Sequence, residues 1–268
     1  SKIIDNFYFS ISATFLYSTY PYLLGHGLFN PKDIPFLCFW IICTYVSTNI
    51  FTKLLRDISL KYQDIILISF LSAFLLSIRI TGALIFIQYL VTFVIFLNLK
   101  KIKFINFFKI YFKKILAFIF LTTFLTYLFY PVFWRNPLLI FEAINFMSSH
   151  FNNVCTLTLG KCMFSNNLDP TYIPIWILVK LPLIILIGLL LLPITERKIF
   201  TNERNNIFFG TLLISSFLIP IILIFKKVHL YDELRQILFI IPSIFILGVI
   251  SIYIYSKKIF YFLSFITL

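Results

Sequence analysis

The chain has 268 residues, 60% hydrophobic and 12% charged, with a mean hydropathy of +0.98. A soluble domain is about half apolar and about a quarter charged, so composition excludes an ordinary soluble protein and indicates a polytopic membrane protein. The net charge of +13 sits in short segments between apolar stretches rather than in one basic stripe, which argues against nucleic acid as a partner and for a lipid bilayer.

A membrane span takes about 20 apolar residues, each adding about 1.5 Å. Phe7–Tyr22 is the first candidate and leads to a loop at 23–33. Ile34–Phe51 returns to Lys53, Arg56 and Lys61 in a loop at 53–64. Ile65–Leu99 is largely apolar, its one charged break being Arg79-Ile80-Thr81-Gly82. As one straight helix it would reach roughly 50 Å, against a hydrocarbon core of ~30 Å, so two helices are expected to meet at that break. The loop at 100–114 carries Lys100, Lys101, Lys103, Lys109, Lys113 and Lys114 and no acid.

Leu116–Phe133 crosses next, followed by a long polar loop at 134–174. Ile175–Leu192 leads to Arg197, Lys198 and Arg204 in a loop at 193–206. Ile207–Phe225, a loop at 226–236 and Ile237–Tyr255 follow, and the last residues begin another apolar segment. The expectation is an all-α protein, one transmembrane helical bundle over residues 1–268 with about eight to nine spans or half-spans.

Alternate loops differ sharply in charge. With Lys2, Lys257 and Lys258, the loops at 53–64, 100–114 and 193–206 hold 15 of the 23 Lys and Arg residues. The positive-inside rule makes that side cytoplasmic. The loops at 23–33, 134–174 and 226–236, with the Arg79 break, are then extracytoplasmic. Within the long loop, Ile140, Ile144, Met147 and Phe151 recur at helical spacing opposite Glu142, Asn145 and Ser149, though Leu138 and Phe141 blur the pattern. Asn136 suits the cap and Pro137 the first turn, so a short interfacial helix over Pro137–Phe151 is expected, with an ordinary loop helix as the plain alternative.

Arg79 and Lys180 are flanked by apolar residues, and an ionisable group there is costly unless it has a task. Both fall on the extracytoplasmic side together with Arg235 and Lys32. Arg offers a fork of donors to phosphate oxygens and Lys a point charge, so Arg79, Lys180 and Arg235 are read as a phosphate-binding set. Snorkelling to the headgroups is the alternative for each taken singly. Asp33 sits where a carboxylate caps a helix start. His26 beside Asp33 is a weak ligand pair; no metal site is assigned and no cofactor is named, a divalent metal being left open. Cys155 and Cys162 stand seven apart in an outer loop and suit a disulfide, while Cys38 and Cys43 fall within a span as core residues. There is no CxxC, GxSxG, P-loop or GxGxxG, which leaves soluble nucleotide chemistry without support.

HGLFNPKDIP at 26–35, RITG at 79–82, YPVFWRNP at 130–137, TYIPIWILVKLP at 171–182 and YDELRQILFIIP at 231–242 occur in this order. The set resembles the bacterial dolichyl-phosphate-mannose–protein mannosyltransferase-like family, polytopic glycosyltransferases of the GT-C type and family-39-like, over most of the chain. The resemblance implies an inverting glycosyltransferase in the bacterial inner membrane with its site facing the periplasm. It would move a sugar from a polyprenyl-phosphate donor to an acceptor protein or glycolipid.

Such enzymes take their general base from an acidic pair in the first outer loop. That pair is absent here, so the chain is expected to be an N-terminally truncated fragment. Asp33 resembles the family's second acidic position and is the catalytic candidate. His26, Asn30, Lys32 and Glu142 are candidates for the sugar or acceptor pocket. Tyr172 and Trp176 suit either that pocket or the aromatic belt of the interface. A transporter or flippase for a lipid-linked sugar, and a non-catalytic membrane subunit, are the competing readings.

Overall fold

The computed structural model describes residues 4, 6–139, 142, 143 and 153–266. Its frame is set by two ends, one rich in lysine and the other holding the buried charges. Helix α1 (Phe7–Ser18) is capped by Asn6, whose side chain accepts from the Phe9 amide, and it stops before Pro21, which opens α2 (Pro21–Phe29). Helix α3 (Asp33–Leu55) runs to the lysine-rich end and α4 (Tyr62–Ile78) comes back. A 3-10 turn at Ile80–Ala83 joins α4 to α5 (Leu84–Lys100), and α6 (Phe104–Phe129) returns once more.

Beyond the long loop lie α7 (Tyr172–Lys180), α8 (Leu183–Ile199) and α9 (Glu203–Phe225). A 3-10 segment at Arg235–Ile240 continues into α10 (Ile241–Tyr255), and α11 (Lys257–Ile266) follows. Among the described residues, five helices are long and apolar enough to cross a membrane: Asp33–Leu55, Ile80–Lys100, Phe104–Phe129, Glu203–Phe225 and Arg235–Tyr255. The bent pair of α7 and α8, meeting at 115° across Leu181-Pro182, makes a sixth if counted as one span.

Several loops expected from charge alone are in fact helix ends. Six of the nine residues between Gly25 and Asp33 are helical or open a helix, because α2 fills most of that loop. Only Lys101–Lys103 lie between α5 and α6, so Lys109, Lys113 and Lys114 sit on the first turns of α6. A lysine reaches the headgroups from a helix flank as well as from a loop, which is why composition could not separate the two. The expected first span, Phe7–Tyr22, ends early, since Pro21 cannot donate to the preceding turn.

Packing follows two clusters of buried apolar side chains. The larger joins α3, α8, α9 and α10 around Trp40, Phe239 and Ile185; the smaller lies at the lysine-rich end around Phe96 and Phe107. Where α8 crosses α10 the backbones nearly touch. A Cβ at Gly188 would stand 2.1 Å from the Gly248 carbonyl oxygen, so only glycine fits. A polar seam pins α3, α5 and α9 inside the apolar mass. The Gln88 amide donates to Thr44 Oγ1 at 2.5 Å, and Thr211 donates to Thr92 at 3.1 Å.

At the lysine-rich end Lys53 pairs with Asp64 and Lys100 with Asp57, each at 2.7 Å. At the opposite end the Tyr130 hydroxyl meets the Leu76 carbonyl oxygen at 3.0 Å, tying the close of α6 to the close of α4. The long loop contains an antiparallel hairpin, β1 (Cys155–Thr158) and β2 (Lys161–Phe164), closed by a Cys155–Cys162 disulfide. Leu159 and Gly160 both adopt positive φ at its two-residue turn. Strand pairing there had no signal in the periodicity, because four-residue strands are too short to show one. Most of the expected interfacial helix at Pro137–Phe151 falls outside the described residues; Glu142, which is within them, is exposed.

Candidate functional site

Asp33 is the first residue of α3 and its side chain is almost wholly buried. Its carboxylate accepts from Arg79 Nη1 on one oxygen. On the other it accepts from Arg235 Nε at 3.0 Å and Asn30 Nδ2 at 2.7 Å. Asn30 in turn accepts from the Asp33 amide at 3.0 Å, so the two residues clasp each other across the turn that starts α3. The guanidinium of Arg79 lies 5.9 Å from the Phe36 ring, which faces it one turn along α3. Arg79 is held there because the chain leaves helical geometry at that residue, φ −152° and ψ 138°, between α4 and the 3-10 turn.

Arg235 also pairs with Asp232 at 2.8 Å, and Lys180 with Glu233 at 2.6 Å. Asp232 and Glu233 are consecutive non-glycine residues in the left-handed region, at φ 62° and 61°. That conformation costs about 1–2 kcal/mol per residue. It persists because both side chains are tied to cations and the Glu233 amide is tied to the Tyr172 hydroxyl at 3.0 Å. Backbone held in a costly conformation by its surroundings is concentrated at functional sites.

Lys180 ends α7 at the 115° break. Its ammonium lies 5.1 Å from the Tyr22 ring and 5.2 Å from the Trp176 ring, within cation–π range of both. The Tyr20 hydroxyl donates to the Lys180 carbonyl oxygen at 2.8 Å, anchoring the start of α2 to the break. Beside these residues is a cavity of about 600 Å³, lined by Leu16, Tyr20, Tyr22, Val179, Lys180 and Phe245 among others. Its walls are largely apolar, with the lysine, the two tyrosines and Thr19 as the polar groups.

His26 is buried under Tyr22 and Phe29, ring centroids 4.6 and 5.2 Å away, with its Nδ1 3.4 Å from the Asn30 amide nitrogen. Burial pushes its pKa below the usual histidine value, so it is neutral at pH 7. The hairpin closes one side of the cluster. Trp176 Nε1 donates to Thr158 Oγ1 at 3.2 Å, and the Asp232 amide to Thr156 Oγ1 at 3.3 Å.

Of the residues singled out from sequence, the structure gathers Arg79, Arg235, Asp33, Asn30, His26, Lys180, Tyr172 and Trp176 at one end of the bundle. Lys32 and Glu142 are exposed and are not among the residues that this cluster joins. The sequence reading treated the three cations as open to an anion, whereas each has a carboxylate of this chain beside it. Asp33, read as the catalytic candidate, is committed to three donors, so it fits a positioning role better than that of a base. Asp232 and Glu233 were missed. The YDELRQ motif contains them, but acids next to a basic residue in a loop look like ordinary surface charge. Among the described residues no three His, Cys, Asp or Glu side chains gather as a metal ion would need.

What fold and site together define is an all-helical bundle with at least five helices of membrane-crossing length and a neutralised cluster of three cations and three carboxylates at one end. No family model, curated protein or solved structure matches the chain.

Proposed function

We propose that the chain is a multi-pass membrane glycosyltransferase. It would take a sugar from a polyprenyl-phosphate donor at the end of the bundle where Arg79, Arg235 and Lys180 meet. One observation carries the reading: three cations from separate segments meet at one end of the bundle, and one of them, Lys180, lines a largely apolar cavity. That combination suits a ligand with an anionic head and a hydrocarbon tail. The shorter apolar helix α4 adds a seventh crossing to the five long helices and the bent pair, and α1 enters as a half-span from the lysine-rich end, which is cytoplasmic in this reading.

The four ion pairs of the cluster are not equally open to exchange. Asp33 is nearly buried, and breaking a buried pair costs about 3–5 kcal/mol. Lys180 and Glu233 are 26% and 29% exposed. With both partners partly open to solvent, this pair costs less to break than the one on Asp33, so a phosphate oxygen can take Lys180 from Glu233. Arg79 and Arg235, aimed by Asp33, then face the phosphate that leaves as the glycosidic bond breaks. Glu233, released from Lys180, is placed to accept the proton of the acceptor hydroxyl as its oxygen bonds the anomeric carbon.

The test is transfer of labelled sugar from a synthetic polyprenyl-phosphate donor by the purified protein. Lys180→Ala and Arg79→Ala abolish turnover at unchanged expression, and Glu233→Gln lowers kcat while donor binding persists. Wild-type turnover in the first two variants refutes the phosphate clamp. The broken span at Leu181-Pro182 favours a second reading, a transporter of a lipid-linked sugar, since discontinuous helices often line translocation sites. Donor flux across liposomes that contain no acceptor distinguishes it.

A further inference from the structure

Helix α2 has two unlike faces. Tyr22, His26 and Asn30 follow one another at four-residue spacing and turn inward, Asn30 toward Asp33. Leu24, Leu28 and Phe29 turn outward and are 53%, 83% and 69% exposed. The nearest charge beyond them is Lys32, which is exposed, and α2 itself contains no acid. An outward row of large apolar side chains with a lysine at its edge matches the boundary between acyl chains and anionic headgroups.

Position along the bundle agrees. The 12 residues of α1 rise about 18 Å, short of a ~30 Å hydrocarbon core. The chain therefore enters α2 before it has climbed a full crossing. Phe9, in the first turn of α1, packs on Tyr253 and Phe260, near the lysines at 257 and 258. So α1 starts close to the lysine-rich end, and its top lies below the far boundary.

We infer that α2 lies in the membrane interface, with Leu24, Leu28 and Phe29 among lipid acyl chains and Lys32 at the phosphates. Its inner face would then link the lipid to the site, because the helix that rests on the bilayer also holds the Asn30–Asp33 clasp. The occupant of the outer face is lipid rather than a protein partner. No charged side chain interrupts the row, and the exposed apolar residues of α7, Leu178 and Val179, carry the same character toward the cavity that α2 helps to line.

This inference rests on the reading that the chain crosses a bilayer, and the experiment separates the two. Benzoylphenylalanine is placed singly at Leu28, at Phe29 and at Phe120 in α6. Each variant is irradiated in vesicles of phosphatidylethanolamine and phosphatidylglycerol and the adducts are read by mass spectrometry. Lipid adducts at 28 or 29, in protein that elutes as the folded species, are expected. Adducts at 120 with none at 28 or 29 leave the crossing intact and overturn the interfacial seat, as does cross-linking of 28 and 29 to a polypeptide. Absence of lipid adducts at all three positions overturns both.

Discussion

Asp33 is the residue on which the charged cluster closes, and Asp33→Asn tests that directly. The substitution keeps the shape but removes the charge that Arg79 and Arg235 share and turns one acceptor oxygen into an NH2 that faces other donors. Removing one partner of a fully buried pair costs about 3–5 kcal/mol, and an exposed pair about 0–1 kcal/mol. The Arg235 side chain is 39% exposed and keeps Asp232, so its share is small. Arg79, less exposed and paired with Asp33, carries most of the loss. An estimate of about 3 kcal/mol results, at the low end of the buried range.

Thermal unfolding in detergent, at roughly 2–4 °C per kcal/mol for a chain of this order of size, should then show a fall of about 6–12 °C. A double-mutant cycle with Arg79→Met isolates the pair, since Asp33→Asn leaves Arg79 without its carboxylate, Arg79→Met leaves Asp33 with Arg235 and Asn30, and the double change removes both charges of the pair. The expected coupling is at least about 2 kcal/mol, within the range for residues in one network. Additive effects would refute the claim that Asp33 holds Arg79, and a stabilised Asp33→Asn variant would refute it more strongly.

Gly188→Ala should destabilise by about 1–3 kcal/mol, the usual cost of overpacking, because the new methyl would sit 2.1 Å from a backbone oxygen of α10. Gly25→Ala, with nothing within 4 Å, should be neutral or slightly stabilising, and the two melting curves together check the crossing. Replacing Cys155 and Cys162 by serine should cost the hairpin roughly 2–3 kcal/mol and expose residues 153–166 to limited proteolysis first. His26 has a depressed pKa in the fold, so the unfolded chain binds its proton first as pH falls below ~6.5. Its contribution to stability is whole above that value and shrinks down to the folded pKa. His26→Gln should flatten the difference in melting temperature between pH 7.5 and pH 5.

Charge distribution and hydropathy made the bundle legible, and the break at Arg79–Gly82 followed from simple length: 35 apolar residues do not fit one crossing. The same arithmetic failed at Phe7–Tyr22, where Pro21 ends the helix and the chain turns aside into α2. At Lys180 a single span was expected, and Pro182 bends it through 115° instead. Convergence of Arg79 with Arg235 was suggested only by their shared side of the bundle. Their meeting on one carboxylate depends on α3 and α10 being neighbours, which no local pattern states. Glu233 was invisible because its role comes from a left-handed backbone that turns it toward Lys180, a property of tertiary context rather than of the residues beside it.

The central claim is that Lys180, with the two arginines behind it, receives a lipid-borne phosphate. The most direct measurement is binding of polyprenyl phosphate, against the uncharged polyprenol, to the protein in nanodiscs, for wild type and Lys180→Ala. The account predicts that the wild type prefers the phosphate and that Lys180→Ala weakens its binding by about tenfold or more, a loss of at least ~1.4 kcal/mol, with polyprenol binding unchanged. Equal binding of phosphate and alcohol by the wild type, or undiminished phosphate binding by Lys180→Ala, would contradict it.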